Sequence, residues 1–282
     1  MHYLDKIKKC NQYDSSDKIP FLIEDKRVGQ VRKKYLQYLL GSGVFVYENN
    51  VLALQPSLDT YARKNEALDY FAKEAYVDGI TNTFMDESYA IVENITSKPL
   101  CLIDRTISTL LGVLSFGQHL NGYVRTKDGM KMWIGKRASD RGYEAGKLDH
   151  VVAGGLPYGI TMGENLEKEC HEEAGMSKEL ANQAISVGLV AYRYDYDLGG
   201  KEDIIYCYDL ELDEDFKPVC MDGEVEAFYL MDIHDVMEIV KNTDDFKLNC
   251  NLVLIDFFIR HGFIKPEDKD YIDLVRGLKG YK

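Results

Sequence analysis

At 282 residues the chain exceeds one small domain and suits one large or two modest ones, each with its own core. Its 45% hydrophobic and 29% charged residues exclude a disordered chain, and no apolar run reaches the roughly 18 to 20 residues that cross a bilayer, so a water-facing globular protein without a membrane partner is expected. The formal charge of -13 argues against nucleic acid as a partner, because that binding is driven by Lys and Arg displacing counterions.

The start, Met1 to Lys6, lacks the apolar stretch of a signal peptide, and cytoplasmic location is the expectation. Cys10, Cys101, Cys170, Cys207, Cys220 and Cys250 are scattered without a C-x-x-C pair, so reduced, mostly buried thiols are expected instead of a zinc or redox motif. Up to about Ser115 helical and strand-like stretches alternate. Arg32 to Leu40 reads as helix, and Gly43 to Tyr47 and Ser88 to Val92 read as strands. From Gly122 the pattern becomes a hairpin: Gly122 to Arg125, a turn at Lys127-Asp128-Gly129, then Met130 to Gly135.

A glycine-punctuated loop, Gly142 to Gly163, leads to a helix that Thr161 and Glu164 mark with a capping-box pattern and that Gly175 ends. Strands are predicted again at Ser186 to Tyr194, Ile204 to Leu212 and Glu224 to Met231, and helices at Ile233 to Val240 and Asn249 to Ile259. This order predicts an α/β (α+β) protein: a mixed sheet sandwiched between helices, preceded by a smaller α+β domain. The expected division is 1–115, 116–264 and a C-terminal tail, 265–282.

Along the helix near Met162, Leu166, Cys170 and Ala174 stack on one stripe that should face the sheet. Glu169, Glu172 and Glu173, spaced i, i+3 and i+4, crowd an adjoining strip. Like charges at this spacing, close to the negative end of the helix dipole, are locally unfavourable, and a divalent cation would remove both penalties. Magnesium suits oxygen ligands shared with substrate phosphates, with manganese as a substitute. On charge alone the same residues also fit a solvated acidic face, and the longer string decides between the two.

Gly154 to Met176 resembles the Nudix box, G-x5-E-x7-R-E-U-x-E-E-x-G-U with U apolar, and aligns with it without a gap. Gly154, Glu169, Glu172, Glu173 and Gly175 match, Cys170 and Met176 fill apolar positions, Lys168 replaces arginine, and Ile160 replaces the first glutamate. Four further segments, 119–124, 133–137, 146–155 and 222–226, are similar to the Nudix branch associated with fungal thiamine pyrophosphokinase. The N-terminal third looks like the accessory domain that precedes Nudix in that branch.

The resemblance implies hydrolysis of a small-molecule diphosphate, with thiamine diphosphate or its oxidised analogues as the leading substrate class. It implies Glu169 and Glu173 as principal metal ligands, Glu172 as a further one, and a backbone carbonyl near Ala153 or Gly154 completing the set. Glu172 and Glu173 are also the catalytic carboxylates it implies, and the Gly154-Gly155 pair permits close backbone approach to substrate and metal. Glu224 and Glu226, on one face of an extended segment, are candidates for a fourth ligand or the base. Lys136, Arg137 and Lys147 are candidate phosphate donors. Glu164 and Lys168 are expected to support the helix, pairing with each other at i, i+4 or, for Lys168, with Glu172. A homodimer is the assembly considered. Two alternatives stay open: a sensor module that binds without turnover, favoured by Ile160 and Lys168, and a different diphosphate chemistry on the same scaffold.

Overall fold

The computed structural model describes residues 2–92, 97–140 and 144–280. The start of the loop expected from Gly142 therefore lies outside the described residues. The chain opens with α1 (Tyr3–Cys10), then the hairpin of β1 (Lys18–Ile23) and β2 (Lys26–Arg32). A 3-10 turn at Lys33–Tyr35 and α2 (Leu36–Gly41) together occupy the predicted helical run, whose first residue, Arg32, instead closes β2. β3 (Phe45–Glu48) and β4 (Val51–Leu54) complete a four-stranded sheet in the order β2-β1-β4-β3.

α3 (Tyr61–Val77) starts at Thr60, whose Oγ1 accepts the Arg63 N–H at 3.2 Å. Its Leu68, Phe71, Ala72 and Ala75 recur at helical spacing and are buried, joining Phe21 and Phe45 from the sheet. The hairpin of β5 (Ser88–Ile91) and β6 (Cys101–Asp104) adds Tyr89, Ile91, Cys101 and Ile103 to that core, and α4 (Ser108–Leu111) follows.

Next come β7 (Leu114–Thr126) and β8 (Gly129–Arg137), the predicted hairpin, with β7 starting upstream of Gly122. β9 (Leu148–His150), β10 (Val152–Gly155), α5 (Met162–Ala174), α6 (Lys178–Ala181), β11 (Ile185–Asp195), β12 (Gly200–Glu211) and β13 (Val225–Asp232) follow. The seven strands form one sheet in the order β11-β12-β7-β8-β13, with β10 added to β7 and β9 to β8. It is mixed: β12 runs parallel to β7, while β7 and β8 are antiparallel.

Side-chain alternation divides the sheet into two buried faces. Leu120, Val124, Tyr208 and Leu210 pack towards α5, whereas Tyr123, Met132, Ile134 and Cys207 pack with α7 (Ile233–Asn242) and α8 (Cys250–Arg260). The result is the expected helix, sheet, helix sandwich behind an α+β segment. The cores do not divide at a single point of the chain. Ile7 and Cys10 of α1 join the α8 face, and so do Leu274 and Leu278 from residues expected to be a tail, which instead carry α9 (Tyr271–Gly277).

Candidate active site

α5 begins and ends where the capping pattern places it. Thr161 Oγ1 accepts the Glu164 N–H at 3.2 Å, Glu164 Oε2 accepts the Thr161 N–H at 3.0 Å, and Gly175 closes the helix at φ 63°. Leu166, Cys170 and Ala174 are buried against the sheet, which turns the glutamate strip towards β10.

Burial is graded along that strip. Glu173 is 6% exposed, the Glu169 side chain 12%, and the Glu172 side chain 40%. Glu173 Oε2 accepts the Ala153 N–H at 2.7 Å, which ties the helix to β10. Burial and then the neighbouring Glu169 charge push the Glu173 carboxyl up to about 8, and burial raises Glu169 as well. The Glu224 charge adds to the rise at both, so this carboxylate, carried just ahead of β13, is near enough to act on them electrostatically.

Gly154 is required by this approach, because a Cβ there would lie 2.3 Å from Glu169 Cδ. Lys168 Nζ lies 3.2 Å from Glu169 Oε1 and 3.1 Å from Glu172 Oε2, bridging two of the three carboxylates. The expected pair between Lys168 and Glu164 is not formed. Glu164 is committed to the Thr161 cap, so it supports the helix start but does not restore a carboxylate in place of Ile160.

The structure separates the two downstream glutamates. The ladder between β13 and β8 shifts register between Val225 and Ala227, so the simple alternation expected of Glu224 and Glu226 is broken there. Glu226 pairs with Lys136 at 2.5 Å and accepts the Ser139 N–H at 3.1 Å, and it does not join the cluster. The other candidate phosphate donors are likewise engaged. Arg137 Nη1 bonds Asp149 Oδ2 at 3.1 Å, and Lys147 Nζ donates to the Asp244 carbonyl. Lys136 and Lys147 line an open hollow of about 480 Å³ with Leu148, Tyr229 and Asp245, and neither Glu169 nor Glu173 borders it.

Sequence reasoning missed two buried amides that hold the loop before α5. Asn165 Nδ2 donates to the Gly155 carbonyl at 2.8 Å and to Gln118 Oε1 at 2.7 Å, while Gln118 Nε2 donates to the Met162 carbonyl at 2.9 Å. It also missed a polar knot of His119, Asp149, His150 and Cys250, whose ligand-capable atoms lie within 4.8 Å of one another. Asp149 there already accepts from Arg137, from Lys247 at 3.2 Å, from Cys250 Sγ at 2.8 Å and from the His150 N–H at 2.9 Å. Both its oxygens are used and two cations face its charge, whereas His150 Nε2 is buried with no hydrogen-bond partner among the described residues.

The donor set of Glu169, Glu172, Glu173 and Glu224 fits an oxygen-seeking divalent cation. All are carboxylates, Glu169 and Glu173 are raised by burial, and the Gly154 cradle leaves β10 backbone beside them. A helix that presents carboxylates in this way lies beside a glycine-bearing strand on a mixed sheet.

Residues 2–115 match a family described as a domain of unknown function (DUF4743). Over 98% of its length the chain is 39% identical to Nudix hydrolase 20, chloroplastic, of Arabidopsis thaliana, covering 77% of that protein. Nudix hydrolase 24, chloroplastic, of the same plant is 39% identical, with the same shares of both chains, 98% and 77%, covered. A crystal structure of a C. elegans Ap4A hydrolase binary complex is similar at 14% identity and a TM-score of 0.39, covering 53% of this chain and 99% of that one. The chain belongs to the Nudix hydrolase family.

Proposed function

We propose that this protein hydrolyses a small-molecule diphosphate with Mg2+, for which Mn2+ substitutes, and that thiamine diphosphate and its oxidised or analogue forms are the substrate class to test first. The observation that carries the reaction is the convergence of Glu169, Glu172, Glu173 and Glu224 beside the Gly154 backbone. The thiamine assignment is supported by the resemblance of the segments around residues 119–124, 133–137, 146–155 and 222–226.

Glu169, Glu172 and Glu173 would hold the cation. When bound, it supplies Lewis-acid polarisation of the phosphoryl group and of water. Lys168 orients Glu169 and Glu172 through its ion pairs with both. The Ala153 N–H fixes one oxygen of Glu173. Glu224 serves as the general base, its carboxylate accepting a proton from the attacking water. The six cysteines are all free thiols, which supports a reducing compartment such as the cytoplasm.

The assay is release of monophosphate from thiamine diphosphate, its oxidised analogue, ADP-ribose, NADH and nucleoside diphosphates, with Mg2+ and with chelator. Turnover of one class that chelator abolishes is expected, and Glu173→Gln should lower it at least about a hundredfold while the protein stays folded. A Glu173→Gln variant with near-normal, metal-dependent turnover would remove the assignment. Ile160, at the first acidic position of the box, favours a second reading, a sensor that binds a diphosphate without cleaving it. Binding with no product across the whole panel would establish that one.

A further inference from the structure

An anionic diphosphate approaching four carboxylates needs protein donors besides the cation, and the three basic residues that the sequence offers are bonded to Glu226, Asp149 and the Asp244 carbonyl. Among the described residues another guanidinium reaches the box, and it comes from the N-terminal segment. Arg105 begins the 3-10 turn Arg105–Ile107 that follows β6, and Asp104 fixes that turn by accepting the Thr106 N–H at 2.8 Å. The Arg105 N–H donates to the Glu87 carbonyl at 2.8 Å, so its backbone is held from both sides.

The side chain is held as well. Nη1 donates to Glu87 Oε2 at 2.9 Å, and the guanidinium carbon stands 5.7 Å from the centre of the Tyr89 ring. The place it is held against is the box. A Cβ on Gly155 would meet Tyr89 Oη at 2.0 Å and Arg105 Cζ at 3.4 Å, and Glu169 is near enough to interact electrostatically with both side chains. The same loop is pinned to the N-terminal segment by the Tyr158 N–H, which donates to the Ser88 carbonyl at 2.7 Å. Yet the Arg105 side chain remains 42% exposed, and among the described residues its Nε and Nη2 have no hydrogen-bond acceptor. It is a fixed, charged fork with one prong used and the others presented at the Gly155 edge of the site.

We propose that Arg105 is a diphosphate-binding residue: Nε and Nη2 donate to non-bridging phosphoryl oxygens of the ligand, so that the N-terminal domain completes the site. The proposal rests on the diphosphate reading of the carboxylate cluster but not on turnover. Its ligand class is any diphosphate, and the chemistry it recognises is a pair of phosphoryl oxygens.

The test uses the full chain and two readouts: calorimetric binding of inorganic pyrophosphate with Mg2+, and KM and kcat for whichever diphosphate the wild type cleaves. Arg105→Gln should weaken pyrophosphate binding and raise KM by about tenfold or more, the scale of a lost hydrogen bond to a charged group, with kcat changed far less. Arg105→Lys should recover part of the loss. Glu87→Gln removes the ion pair while sparing the guanidinium, so its affinity should match or exceed that of the wild type.

If Glu87→Gln weakens binding as much as Arg105→Gln, Arg105 is only a strut between its neighbours and the proposal falls. It also falls if folded Arg105→Gln protein, checked by its melting curve, binds pyrophosphate within about twofold of wild type, or if the wild type binds none. Arg105-dependent binding in a protein that cleaves nothing would leave this proposal standing and overturn the hydrolase reading instead.

Discussion

Glu173 shows most clearly what a single residue carries here. Its place on the helix strip follows from the spacing of the box, but its burial and its bond to the Ala153 N–H follow from packing against β10. With no cation bound, the folded chain keeps the Glu173 proton up to about 8, whereas the unfolded chain releases it near 4.5. Between those values the folded state holds more protons, so this contribution is full below 4.5 and is lost as pH rises through 8. In chelator, the thermal midpoint should therefore fall from about pH 5 to about pH 8, and saturating Mg2+ should restore it by binding the ionised form. Glu173→Gln should flatten the chelator profile. A wild-type profile that rises over that interval would contradict the burial that drives the shift.

Among the elements, α5 was the most legible, because its start and stop signals act within one turn. Thr161 and Glu164 satisfy each other and nothing distant is needed. Thr161→Ala should cost about 1 kcal/mol, a shift of roughly 2 °C in the midpoint, while turnover stays within about twofold because the carboxylates lie at the other end of the helix. Loss of metal-dependent turnover in that variant would show that the helix start positions the site. Other elements were less legible for a physical reason. The β1-β2 hairpin turns at Glu24 and Asp25, with φ of 52° and 62°, positions where glycine or asparagine normally signals the turn. Glu24 is held there by an ion pair to Lys64, a partner on α3 that no local pattern announces. The bulge between Val225 and Ala227 is equally silent in the sequence, yet it decides that Glu224 reaches the carboxylates and Glu226 does not.

For the molecule as a whole, the two ends of the chain close on the same core, the α8 face of the seven-stranded sheet. Ile7 of α1 is 3% exposed within the α8 core, and its Cγ2 lies 2.4 Å from where a Cβ on Gly277 would stand. Ile7→Ala should lower stability by about 2 to 4 kcal/mol, read from the denaturation midpoint followed through Trp133, the one tryptophan, which packs on the α5 face. An unchanged midpoint would mean that α1 is not part of that core. Among the described residues no helix is long and apolar enough to cross a membrane, in line with the absence of any long apolar run.

The sequence by itself determined α5, its caps, its apolar stripe and its strip of three carboxylates, because all of these depend on residues within a few positions of one another. The same is true of the β7-β8 hairpin and of the alternation that builds the sandwich. Tertiary structure alone decided which later glutamate joins the cluster, which partners occupy Lys136, Arg137 and Lys147, and that Tyr89 and Arg105 stand against Gly155. Each of those outcomes depends on strand register or on contacts between segments far apart in the chain, and neither is encoded in local spacing.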